Sequence, residues 1–133
     1  MDLARQPMFR MLQDRMGYLT ERQKVLSQNI ANADTPNYRP SDLKPVNFAE
    51  VYRMQQQQVR PAMTQAGHLP PATPAAKFVA EKERRPFETA PDGNGVVLED
   101  QMLRLAETQG EFGTTSTLYR KYLDMMRMAI ASR

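Results

Sequence analysis

The chain has 133 residues, with 18 basic against 15 acidic side chains, a net charge of +3, one histidine and no cysteine. Disulfides and thiolate metal sites are excluded, and the lone His68 cannot build a multi-histidine site. The length is that of one domain, but the middle third is so poor in large apolar side chains that neighbouring molecules are expected to supply part of the folding free energy.

Nothing approaches the roughly 18 consecutive apolar residues of a membrane span. Arg5, Arg10, Asp14 and Arg15 interrupt every short apolar run at the start, so no cleaved signal is expected. Basic residues are spread along the whole chain rather than gathered on one face, which argues against nucleic acid as a partner.

From Met8 to Ala33, Leu12, Met16, Leu19, Gln23, Leu26 and Ile30 recur at alternating steps of four and three, which predicts an amphipathic helix within residues 1–33. Gly17 weakens it by about 1 kcal/mol relative to alanine. Asp34, Thr35 and Pro36 end it, because proline cannot continue a helix and biases its predecessor towards extended geometry. Pro40 and Pro45 keep residues 34–46 extended. A short helix is expected over 47–59, where Phe48, Val51, Tyr52 and Val59 share a face.

Residues 60–96 read as an extended, loop-rich segment. Pro61, Pro70, Pro71, Pro74, Pro86 and Pro91 fall within it, and a short strand pair is expected near Phe78 and Phe87. Asp92-Gly93-Asn94-Gly95 is a turn, since asparagine and glycine accept positive φ. A second helix then covers 97–133. Its stripe is Leu98, Met102, Leu105, Gln109, Phe112, Ser116, Tyr119, Leu123, Met126 and Ile130, again at steps of four and three. At about 1.5 Å per residue it runs to roughly 50 Å. Gly110 and Gly113 lie inside it, so either the helix bends there or another backbone passes close.

Chemistry is sparse. Glu99 and Asp100 belong to the first turn of a helix, where the dipole favours negative charge. Asp92 and Asn94 begin like a calcium loop, but Val96, Val97 and Leu103 occupy positions that loop needs for a ligand, a glycine and a glutamate. There is no phosphate-binding glycine loop and no serine nucleophile elbow, so neither an enzyme nor a small-molecule substrate or cofactor is expected.

The segment from Ser27 to Tyr38 ends a helix in small and amide residues. Asn29 and Asn32 are placed to bond carbonyls that a helix end leaves unpaired. This word, with Asn29, Asn32, Thr35, Pro36, Asn37 and Tyr38, closely resembles the N-terminal signature of flagellar rod and hook proteins. Within the short members of that family, the run from Asp92 to Met102 is similar to the segment that opens the C-terminal helix of proximal rod subunits. The chain has no room for the inserted β domains of hook and distal-rod members. The resemblance covers roughly residues 8–45 and 92–132.

The expected fold is mainly α, a single helical rod unit. Its N- and C-terminal helices pair as a coiled-coil-like bundle, with a loop-rich middle and a short β hairpin. The two stripes are expected to serve as an assembly seam, with Gln23, Gln109 and Ser116 fixing register at some cost in stability. The resemblance implies a structural subunit that polymerises into the flagellar drive shaft. It further implies export through the flagellar type III apparatus, residence in the periplasm-spanning rod, and contacts with itself, other rod proteins, FliE, the MS ring and the export gate. The alternatives are another short rod protein such as FlgC, or a soluble helical adaptor or chaperone that holds one partner helix in a groove.

Overall fold

Pro7 opens the first helix at a position where a missing N–H costs nothing, and α1 runs over Pro7–Ala31. This computed structural model describes residues 6–49, 53, 78–84, 86 and 88–131. α1 buries Phe9, Leu12, Tyr18, Leu19, Leu26 and Asn29. The complete burial of Phe9, Leu19 and Leu26 contributes about 2 kcal/mol each by removal of apolar surface from water. The helix stops two residues before the expected limit, with Asn32 as its C-cap.

The chain then turns through residues 32–37 into strand β1, Ser41–Leu43, which pairs antiparallel with β2, Ala80–Lys82, in the register Ser41↔Lys82. The bonds from Lys44 N to Val79 O and from Glu83 N to Pro40 O extend this ladder at its two ends. A strand does form near Phe78. Its partner is the proline-flanked segment after α1, not a stretch near Phe87. Most of the expected helix over 47–59, and all of 54–77, lie outside the described residues.

The second helix, α2, spans Leu98–Ala131 without interruption. Gly110 and Gly113 do not break it, and no other part of the described chain comes within 4 Å of where their Cβ atoms would stand. α2 packs antiparallel on α1: Gln6 meets Tyr122, Gln13 meets Tyr119, Arg15 meets Glu111 and Asn29 meets Gln101. With 34 residues against 25, α2 carries its segment from Asp124 to Ala131 past the start of α1.

Two clusters lock the pair. Tyr18, Leu19 and Leu43 form a core joined by Val25, Val46, Phe48, Phe78 and Phe112, with the Tyr18 ring edge-on to Phe48 and Phe78. Further along, Phe9 sits between Tyr119 and Tyr122, at ring distances of 5.3 and 4.8 Å. Such aromatic contacts are worth about 1 kcal/mol beyond their buried area.

Candidate assembly interface and the signature turn

On α1 the predicted stripe lies where the helices meet. Leu12, Leu19 and Leu26 are buried, and Met16, Gln23 and Ile30 are half-buried. On α2 the inner line differs from the expectation. The side chains buried against the rest of the molecule are Gln101, Thr108 and Thr115, spaced by seven. Leu105, Phe112, Ser116, Tyr119, Leu123 and Met126 are half-buried, whereas Leu98, Met102, Gln109 and Ile130 are exposed.

The inner line stands one residue before Met102, Gln109 and Ser116, and one residue is a rotation of about 100° around a helix. Hydrophobicity alone therefore picks out a stripe of which four of ten residues point outward. The threonines can be buried because each hydroxyl is satisfied within the helix: Thr108 donates to Arg104 O at 2.7 Å and Thr115 to Glu111 O at 2.8 Å. Gln109 is exposed and makes no cross-helix contact of the expected kind. The buried polar residue of α2 is Gln101, whose Oε1 accepts a bond from Asn29 Nδ2 at 2.8 Å.

Asn29 does not cap its own helix. Its Nδ2 donates to Ser41 O and Gln101 Oε1, and its Oδ1 accepts from Ser41 N and the Tyr38 hydroxyl, so one buried amide ties α1, the β1 segment and α2 together. Asn32 does perform the capping role: its Nδ2 donates to Gln28 O, and its Oδ1 accepts from the Thr35 hydroxyl. Carbonyls of the turn that follows the helix are met from far along the chain. Asn94 Nδ2 lies 3.0, 2.7 and 2.8 Å from the carbonyl oxygens of Asn32, Ala33 and Thr35.

The turn around Asn94 is shaped to reach them. Gly93 has φ +83, and a Cβ on it would stand 2.4 Å from Asn37 Oδ1. Asn37 itself has φ 59 and donates its N–H to Asp92 O. Gly95 N donates to Tyr38 O at 3.0 Å, and Asn94 Oδ1 accepts from Val96 N at 2.8 Å. The signature word and the Asp-Gly-Asn-Gly turn are thus two halves of one latch. Thr35, Pro36 and Asn37 remain exposed at its surface.

A charged network braces the same region. Arg22 grips Asp42 through both carboxylate oxygens at 3.0 and 2.9 Å, and Arg104 bridges Asp42 to Asp100. The hydrogen bond to Asp42 raises the pKa of the Arg22 guanidinium further, a preference that burial only partly opposes. Burial pushes the Tyr18 hydroxyl up from its ordinary value, with Arg22 opposing the shift and Asp42 and Glu111 adding to it. Among the described residues, no three His, Asp or Glu side chains gather as a metal ion would require.

Outward-facing apolar side chains complete the picture. Met102, Leu103 and Leu118 are exposed along α2, and Met125, Met128 and Ile130 at its overhanging end. No described helix is long and apolar enough to cross a membrane.

The family model described as flagella basal body rod protein matches residues 13–39, which cover most of α1 and the signature half of the latch. Relatives extend the likeness across the chain. The flagellar basal body rod protein FlgB of Agrobacterium fabrum is 28% identical over 98% of each chain. The FlgB of Yersinia enterocolitica is 28% identical over 82% of each, and that of Escherichia coli K12 is 29% identical over 77% of this chain and 78% of its own. The chain is therefore similar to flagellar basal body rod proteins, through the family model at α1 and the turn after it and through FlgB proteins along most of its length. The matched segment contains Asn29, whose side-chain amide joins α1 to α2 and to the β1 segment.

Several of these residues had no separate signal in the sequence. Phe9 continues the α1 stripe one step of three before Leu12, whereas Tyr18 and Tyr122 lie off the stripes, and Gln101, Thr108 and Thr115 look like an ordinary polar helix face. A seven-residue period of small or amide residues beside the apolar stripe was the available sign for the last three.

Proposed function

We propose that this chain is a structural subunit of the flagellar basal body rod, in its proximal part, and that it transmits torque for motility by packing rather than by chemistry. The observation that carries this reading is the near full-length similarity to FlgB rod proteins, together with a terminal helix pair that leaves apolar side chains facing outward. The whole chain acts as one rod unit. The outward part of the α2 stripe and its overhanging end form the seam with identical or related subunits, and heterologous contacts that do not close on themselves build the tube.

Its neighbours in the basal body are itself and other rod proteins, with FliE, the MS ring and the flagellar export gate as the specific contacts proposed. It reaches the periplasm-spanning rod through the flagellar type III apparatus. A soluble adaptor or chaperone is not favoured, since the relatives that match along most of the chain are rod proteins.

The test is a strain lacking the gene. Isolated basal bodies should lack a completed rod and cells should be non-motile, with both restored by the intact gene. Complete rods in the null strain would sink the proposal, as would recovery of the chain solely in a soluble one-to-one complex.

A further inference from the structure

The latch contains the only Asn-Gly step in the sequence. Such a step is chemically labile, because a glycine nitrogen without a neighbouring Cβ is free to approach the asparagine side chain. We propose that Asn94–Gly95 is a spontaneous deamidation site which the latch keeps closed, and that its conversion removes the latch permanently.

The reaction requires only water. The Gly95 amide nitrogen attacks Asn94 Cγ, the bond from Cγ to Nδ2 breaks, and ammonia leaves with the proton the Gly95 nitrogen gives up. Water then opens the resulting succinimide to an aspartyl or isoaspartyl residue at position 94.

Each participant is restrained in the folded chain. The attacking Gly95 N–H is engaged with Tyr38 O at 3.0 Å. The leaving nitrogen is surrounded by the carbonyls of Asn32, Ala33 and Thr35, and the side-chain oxygen is tied to Val96 N. The side chain is 3% exposed. Opening the latch frees all of these at once.

The product cannot close it again. A carboxylate has no N–H to give, so three carbonyls at the C-terminal, negative end of α1 would face an anion. An isoaspartyl link would also lengthen the backbone and move Gly95 N away from Tyr38 O. A chain that dwells unlatched is thereby converted into one that stays unlatched. This inference rests on the latch geometry and not on the rod reading.

The full chain is incubated at neutral pH and one temperature, in buffer and in guanidinium chloride. The peptide carrying position 94 is followed by mass spectrometry for exchange of the amide NH2 for OH. Conversion should be more than about tenfold faster in denaturant, since in buffer it waits on local opening. In buffer, Gly93→Ala, which leaves Asn94–Gly95 intact but collides with Asn37, should move the rate towards the denatured one. Converted protein, returned to buffer, should melt at a lower temperature than unconverted protein. Equal rates in the two solvents overturn the proposal, and so does converted protein with an unchanged melting temperature.

Discussion

Asn29 and Gln101 meet side chain to side chain at 2.8 Å, each only 1% exposed, in a fully buried polar contact between the two long helices. Replacing Gln101 by leucine leaves an Asn29 N–H without its acceptor in a dry place, a loss of about 2 kcal/mol. Asn29→Ala should cost more, about 3 kcal/mol, because Ser41 and Tyr38 lose their partner as well. Urea unfolding followed by circular dichroism measures both, and a Gln101→Leu protein as stable as the parent would contradict the assignment.

Alkaline stability should report on Tyr18. Its folded pKa is raised above its ordinary value chiefly by burial, so its contribution is fully present below the unfolded value. It is lost as pH rises, because the unfolded chain releases the proton first. Between about pH 9 and 11 the parent should therefore lose more stability than Tyr18→Phe, which has no proton to release. Parallel pH profiles for the two proteins would remove this account.

Gly110→Ala and Gly113→Ala should each strengthen the isolated helix by up to about 1 kcal/mol, since the new methyl meets nothing among the described residues. If a neighbouring subunit's backbone passes over these glycines in the rod, the same variants will be more stable in solution and yet impaired in motility. Gains in stability with motility unchanged would leave the glycines without an assembly role.

Met128→Asp separates folding from assembly. Met128 is 64% exposed on the overhanging end of α2, so the substitution should alter subunit stability by no more than about 0.5 kcal/mol. Rod formation and swimming should nevertheless be abolished. Normal swimming of the variant would remove this end of α2 from the proposed seam.

Helix periodicity located both long elements to within a few residues, because Leu12, Leu19 and Leu26 combine strong helix propensity with a buried face. The rotation of α2 was not legible. Both Leu105 and Met102 fall on one apolar stripe, yet one is half-buried and the other exposed, and periodicity carries no mark that separates them. The latch was half legible: the turn at Asp92 to Gly95 and the end of α1 were each evident, but their contact depends on Asn94 reaching carbonyls some sixty positions earlier. Polar joinery of that kind leaves no periodic trace.

The collar formed by β1 and β2 has a consequence for how this scaffold tolerates change. Because Leu43 stands opposite Ala80, the segment joining the two strands begins and ends at one point beside α1. Closure cost grows only slowly with the length of such an excursion. A folded passenger whose own ends lie close together should graft there without disturbing the shaft, which makes this spot the natural place to hang a fluorescent tag.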